Sequence, residues 1–84
     1  MQLRQSDLTW HVAGDEVVVL DLAGSVYLQL NGTARFLWEQ LAESAGEAEL
    51  VEKLVERYGV DDERAERDVS RFLDDLRRRT LIEE

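Results

Sequence analysis

The spacing of apolar residues in this chain changes once, close to Asn31. Residues 8–30 alternate between apolar and polar positions or run continuously apolar, which is typical of β-strands. Residues 33–79 repeat their apolar positions every three or four residues, which is typical of amphipathic helices. Strands grouped before helices predict an α+β fold, with the helices packed on one face of an antiparallel sheet. Residues 1–84 contain no repeat or linker, so we expect a single domain.

Three segments of the first part are predicted to form an antiparallel meander. They are residues 8–12, 16–22 and 25–30. The second segment contains three consecutive valines from Val17, so we expect it to be buried at the centre of the sheet. Ala23-Gly24 is predicted to turn the chain, with help from Asp21. Alternation in the third segment places Val26, Leu28 and Leu30 on one face and Ser25, Tyr27 and Gln29 on the other.

The helical part divides into three predicted helices, followed by a short apolar end. The helices cover residues 33–43, 47–58 and 61–79, and Leu81-Ile82 is expected to close the core. Asn31 suits the first N-cap, because its side chain can accept from free amides of the first turn, and Thr33 is the alternative. Gly59 is predicted to end the second helix in a left-handed conformation, and Asp61 to cap the third.

The residue types needed for catalysis or metal binding are scarce. There is no cysteine, and the one histidine, His11, has no second histidine with which to build a metal site. Carboxylate pairs such as Asp61-Asp62 fall at helix caps or on helix faces and lack the spacing of a calcium loop. No glycine-rich phosphate motif is present. We therefore predict no catalytic residue, no metal, no cofactor and no enzymatic activity.

The net charge of −9 narrows the classes of partner. An acidic surface repels phosphate backbones, so we predict no binding to nucleic acid.

No apolar run approaches the roughly 20 residues needed to cross a bilayer, and the N-terminus has no apolar signal core, so we predict no membrane association. The absence of cysteine agrees with an expected cytoplasmic location.

The order of several short motifs resembles the PqqD-like family of small peptide-binding domains. These motifs are Leu22 through Tyr27, Leu30-Asn31-Gly32-Thr33-Ala34, Trp38, Tyr58-Gly59-Val60, Asp68-Val69, Phe72-Leu73 and Leu76. Their spacing extends from about Val17 to Ile82. The resemblance implies a winged-helix-like, non-catalytic domain that recognises the leader segment of a ribosomally made precursor peptide. One departure is Thr80, where many members have glycine before the final leucine, and it puts the geometry of the last turn in question.

The resemblance also implies partners and a site. Stand-alone acidic members of this length resemble the recognition component of lasso-peptide biosynthesis. There the partners are the precursor peptide, a separate leader peptidase of transglutaminase-like type and a macrolactam-forming cyclase. The leader is expected to lie antiparallel along the third strand, in a groove walled by the third helix. The implied contact residues are Val26, Tyr27, Leu28, Gln29, Leu30, Asp68, Val69, Arg71, Phe72, Asp75 and Leu76.

Other interpretations of the same residues stay open. The apolar members of that set also fit a plain core position, and Trp38 is expected in the core. A winged-helix DNA-binding domain is one alternative function, prompted by the fold and by Arg77-Arg78-Arg79, and a peptide chaperone of the pyrroloquinoline quinone pathway is another. A third is an oligomerisation domain that pairs through its exposed strand. Phe36 lies off the main helical stripe, so we expect it to be exposed and available to the peptidase.

Overall fold

The computed structural model describes all residues, 1–84, and orders the elements largely as the sequence predicts. They are β1 (Gln2–Leu3), β2 (Leu8–Ala13), β3 (Glu16–Asp21), β4 (Val26–Leu30), α1 (Gly32–Ala42), α2 (Glu47–Tyr58), α3 (Asp62–Arg78) and β5 (Ile82–Glu83). The α+β class, with three antiparallel strands followed by three helices, is confirmed. None of the helices combines the length and apolar character that crossing a membrane requires.

The main sheet has the order β2-β3-β4, with both neighbours antiparallel to β3. The prediction of a central second strand is confirmed, because Val17, Val18 and Val19 are all buried. β2 is mostly exposed, although Trp10 reaches the core side and packs edge-to-face on Trp38 with ring centroids 6.2 Å apart. The helices pack against the face that carries Val17 and Val19, and Tyr27 and Gln29 are exposed on the opposite face.

The core lies between the sheet and the three helices. Trp38 is its largest fully buried side chain, and its indole N–H has no hydrogen-bond acceptor. The buried apolar set is Leu3, Val17, Val19, Leu37, Trp38, Leu41, Ala45, Leu50, Leu54, Ala65, Val69, Leu73, Leu76 and Leu81. The helical members recur every three or four residues, as expected for helices that each bury one stripe. The predicted closing role of Leu81 is confirmed, since it is 1% exposed.

The helix ends follow the predicted signals, with one exception. Gly59 has a φ of +66° and its N–H donates to the carbonyl of Val55, so the left-handed end of α2 is confirmed. The Asp61 side chain accepts from the backbone N–H of Arg64 at 2.8 Å, which confirms the α3 cap. Asn31 occupies the N-cap of α1, but its side chain makes no capping bond. Gly32 has a φ of +53°, so the first amides of α1 are not arranged around Asn31 in the usual way.

A second, two-stranded sheet joins the chain ends and was not predicted. β1 and β5 are antiparallel, with Leu3 opposite Ile82. Two residues in each strand are too few to produce a periodic pattern. The nearby Arg4 side chain donates to the backbone carbonyls of Ser6 and Thr80, both at 2.9 Å, and also to the Asp21 carboxylate. Arg4 therefore ties both chain ends to the last residue of β3.

Asp21 in turn organises the link between β3 and β4. Its carboxylate accepts from the backbone N–H groups of Ala23 at 3.2 Å and Gly24 at 3.3 Å, which confirms its predicted part in the turn. The hydrogen bond from Arg4 holds the pKa of Asp21 below its ordinary value. Because the pKa of this carboxyl is lower in the folded chain than in the unfolded chain, its ionised form stabilises the fold at pH values above the unfolded-state pKa. This contribution is lost as the pH falls and the folded-state carboxylate protonates.

We expect Asp21→Asn to lower the thermal unfolding midpoint at pH 7, because the ion pair with Arg4 is lost while the turn acceptors remain. As the pH falls below about 4, wild type loses the same contribution, so the two midpoints should converge. Calorimetry between pH 3 and 7 measures the difference. Glu52→Gln is the control, because Glu52 is exposed and forms no ion pair. A difference that stays constant with pH would contradict this account.

Thr80 supplies the second stability test. Its φ is +59°, so this residue adopts a left-handed conformation despite its β-branched side chain. Removing that strain should outweigh the added flexibility of the unfolded chain, so Thr80→Gly should stabilise the fold by about 0.5–1 kcal/mol. Urea unfolding checks the value. Ser70→Gly, inside α3, should destabilise by a similar amount, and equal signs for the two variants would refute the argument.

Candidate functional site

The open edge of β4 has a defined set of free backbone groups. The N–H of Leu22 donates to the carbonyl of Asp7, which continues the β2–β3 ladder, so even-numbered residues of β3 bond towards β2. Odd-numbered residues of β3 then bond towards β4, to Val26, Leu28 and Leu30. The N–H and C=O groups of Tyr27 and Gln29 consequently point outward, away from the sheet.

Nothing in the local sequence protects this edge. Proteins commonly block exposed strand edges with proline, or with lysine or another charged residue. Residues 22–34, which include all of β4, contain no charged residue and no proline, although 35% of the chain is charged. The edge is therefore free to accept another extended segment by backbone pairing.

The side chains of β4 divide between two faces as predicted. Leu28 and Leu30 are half-buried and pack against the core, whereas Val26, on the same side, stays exposed near the turn. Tyr27 and Gln29 lie on the outer face, and Tyr27 is 57% exposed. The predicted strand residues thus form a contiguous edge whose inner side is apolar and whose outer side is polar or aromatic.

A groove of about 540 Å³ opens between the start of α1 and the outer face of α3. Its walls are Thr33, Ala34, Leu37, Asp68, Arg71, Phe72, Asp75 and Arg78. Thr33 and Ala34 follow β4 almost directly along the chain, so the groove begins where the open strand ends. The half-buried Ala34 and Phe72 make part of its surface apolar, whereas Leu37 is 1% exposed and lies beneath that surface. The charged residues of α3 form the rim of the groove.

The structure separates the predicted α3 residues into two stripes. Asp68, Arg71, Phe72 and Asp75 line the groove. Val69 and Leu76 do not, because they lie on the inward stripe and are 0% and 1% exposed. The expectation that Val69 and Leu76 form part of the groove wall is therefore wrong, because both side chains lie beneath the wall and present no surface to a ligand.

Sequence reasoning missed four lining residues. These are Thr33, Ala34, Leu37 and Arg78. Ala34 and Leu37 belong to the apolar stripe of α1, and a stripe alone cannot distinguish a core contact from a groove wall. The position of Thr33-Ala34 directly after the open strand could have suggested that these residues line the groove. That prediction, however, requires knowing the angle at which α1 packs against α3.

The charges on the groove wall alternate in sign along α3. Asp68 lies 3.9 Å from Arg64, and Asp75 lies 3.3 Å from both Arg78 and Arg79. Asp75 is therefore paired within α3, whereas Arg71 forms no ion pair. Exposed pairs of this kind contribute about 0–1 kcal/mol each, so a ligand can exchange them at little cost.

The three arginines that suggest DNA binding, Arg77, Arg78 and Arg79, already form ion pairs with carboxylates of the same chain. Arg77 forms ion pairs with Glu84, Asp74 and Glu47, at 2.8, 3.2 and 3.7 Å. Arg78 and Arg79 both pair with Asp75. The hydrogen bond from Arg77 holds the pKa of Glu84 below its ordinary value. This end of α3 therefore presents a mixed surface of paired charges rather than a basic stripe.

Side chains that could together hold a metal ion are not grouped near the groove. His11 lies exposed on β2. No group of three or more histidine, cysteine, aspartate or glutamate side chains is arranged to hold a metal ion. What the groove and the open edge offer together is backbone pairing, apolar contact and charge.

Two solved structures share this architecture along nearly their whole length. One is TbiB1 in complex with the TbiA(beta) leader peptide, with 30% identity and a TM-score of 0.90, over 99% of this chain and 95% of that chain. The other is lasso peptide synthetase B1 complexed with the leader peptide, with 26% identity and a TM-score of 0.83, over 95% of this chain and 93% of that one.

The family comparison gives a consistent result. No curated protein matches the chain. The family model of coenzyme PQQ synthesis protein D (PqqD) matches residues 16–82, which include β3, β4 and all three helices. The chain belongs to the PqqD family.

Proposed function

We propose that this protein binds the leader segment of a ribosomally synthesised precursor peptide of the lasso class and has no catalytic activity of its own. The observation that carries the proposal is the open, uncharged edge of β4 beside the groove between α1 and α3. Both similar solved structures hold a leader peptide, which supports the same ligand class for this chain.

The leader would add a fourth strand to the sheet, antiparallel to β4. Its backbone would pair with the outward N–H and C=O groups of Tyr27 and Gln29, each hydrogen bond contributing about 0.5–1.5 kcal/mol. Backbone pairing does not depend on the identity of the leader side chains. It therefore supplies affinity, while the side chains that face the groove supply specificity.

The groove would receive alternate side chains of the leader. Its apolar surface around Ala34 and Phe72 suits an uncharged side chain, and the rim suits neighbouring polar or charged ones. The proposed contact set is Val26, Tyr27, Leu28, Gln29, Leu30, Asp68, Arg71, Phe72 and Asp75, together with Thr33, Ala34 and Arg78, which also line the groove.

A bound leader would then be presented to separate enzymes. We propose a leader peptidase of transglutaminase-like type and a macrolactam-forming cyclase as those partners, in the cytoplasm where the precursor is made. Such a role needs the leader to be held at one edge of the domain while the remainder of the precursor stays free, and an edge strand allows this geometry.

Gln29→Pro tests the strand addition directly. Proline at an outward position removes a free donor but leaves the β3–β4 ladder intact, so leader affinity should fall about tenfold or more while the circular dichroism spectrum is retained. Fluorescence anisotropy with a labelled leader peptide measures the affinity.

Val12→Pro is the matched control for that variant. Val12 is also an outward-facing residue, on the opposite edge of the same sheet, so the backbone damage is equivalent and leader binding should be unchanged. Equal loss of binding in the two variants, or full retention in Gln29→Pro, would contradict pairing at β4.

Ala34→Leu tests the groove. Leucine has almost the helix propensity of alanine, so the change fills space between α1 and α3 with little effect on the helix itself. We expect leader affinity to fall about tenfold or more, because the same space can no longer take a leader side chain. Ala42→Leu, exposed at the other end of α1, should bind as wild type does. Unchanged binding by Ala34→Leu would exclude the groove from the site.

A further inference from the structure

A second surface depression lies on the other flank of α1, between α1 and α2. Its volume is about 410 Å³, and its walls are Phe36, Gln40, Lys53, Glu56 and Arg57. It shares no lining residue with the groove between α1 and α3. Both surfaces can therefore be occupied at the same time.

Aromatic and cationic side chains are stacked at this depression. Phe36 meets Tyr58 edge-to-face, with ring centroids 5.7 Å apart. The guanidinium carbon of Arg57 lies 5.9 Å from the centroid of the Phe36 ring. Phe36 is accordingly half-buried, contrary to the expectation that it is exposed. Tyr58 is 45% exposed and lines an adjoining depression that shares Phe36 and Arg57, so the aromatic surface that a partner meets beside the first depression is chiefly that of Tyr58.

The two cations here have no anionic partner within the chain. Lys53 and Arg57 take part in no ion pair, whereas Arg35 close by pairs with Glu39 at 3.3 Å. Lys53 is also half-buried, which reduces its access to water. One acidic residue, Glu56, lies in the wall of the depression. The lining residues thus carry a net positive charge on a chain whose total charge is −9.

We propose that this α1–α2 surface docks an acidic segment of the enzyme that receives the leader peptide. Carboxylates of that segment would pair with Lys53 and Arg57, and an apolar neighbour would cover Tyr58. Tyrosine and arginine, with tryptophan, are enriched among the residues that contribute most to the binding energy of protein interfaces. The inference rests on the proposed function, because the partner is the enzyme that acts on the bound precursor.

Charge complementarity favours a protein partner over a nucleic acid. Two free cations can attract a local group of carboxylates, but the net charge of −9 opposes a long polyanion. Arg57 is held by its contact with Phe36, so less side-chain entropy is lost when it binds. Binding at this surface should weaken as the salt concentration rises, because much of the cluster is exposed.

The test is binding of the recombinant leader peptidase to the full chain, in the absence and presence of leader peptide. Arg57→Glu and Lys53→Glu should each weaken peptidase binding about tenfold or more, with leader affinity within about twofold of wild type. Arg67→Glu is the matched control, because Arg67 is an exposed helical arginine that also lacks an ion pair. It should bind the peptidase as wild type does. Circular dichroism confirms that every variant is folded.

The outcomes separate this inference from the proposed function. Equal effects of Arg57→Glu and Arg67→Glu on peptidase binding would overturn the α1–α2 surface, as would an absence of any binding between wild type and peptidase. Failure of the wild-type chain to bind leader would refute the proposed function, and that affinity is measured without the peptidase. Peptidase binding that is lost in Arg57→Glu and kept in Arg67→Glu supports the docking surface.

Discussion

A sheet of three strands with helices on one face must leave two strands with unpaired backbone groups, and the binding surface depends on this constraint. β3 is paired on both sides, so β2 and β4 carry the open edges. The chain is rich in charge, yet residues 22–34 contain none. Residues 8–14 at the β2 edge also lack Asp, Glu, Lys, Arg and Pro, so both edges keep their hydrogen-bonding groups accessible to a peptide, and the adjoining groove is what distinguishes β4. Because α1 starts two residues after β4 ends, the same segment also supplies one wall of the groove.

The distribution of ion pairs decides which of the cations remain available. Arg4, Arg35, Arg64 and the arginines at 77–79 are occupied by carboxylates of the same chain. Four cations form no ion pair within the chain, namely Lys53 and Arg57 on α2 and Arg67 and Arg71 on α3. A net charge of −9 therefore does not describe the local surface, because cations without an ion-pair partner persist on two helices. Arg71 lines the groove among carboxylates, and Lys53 and Arg57 line the depression beside the Phe36–Tyr58 pair.

The chain ends contribute to the site from a distance. Arg4 holds Asp21, and Asp21 holds the turn from which β4 starts. Residues 1–15 lie outside the segment that the family model matches, but they supply this clamp. The left-handed conformation of Thr80 belongs to the same arrangement, because the Thr80 carbonyl accepts from Arg4. Strain at Thr80 is maintained by contacts that only the folded chain makes.

Local patterns determined the main elements of this protein. The valine run, the alternation at Val26–Leu30 and the caps at Gly59 and Asp61 depend on neighbouring residues, so their structural meaning is contained in the sequence. The pairing of the two-residue strands and the contact of Arg4 with Asp21 depend on residues far apart in the chain, so no local periodicity predicts them.

The binding site also depends on contacts that are distant in the sequence. Sequence placed Asp68, Arg71, Phe72 and Asp75 together on one helix, but it could not show that Val69 and Leu76 face inward or that Thr33, Ala34 and Arg78 complete the groove. Those distinctions depend on how α1 and α3 pack, and packing is a property of the assembled core.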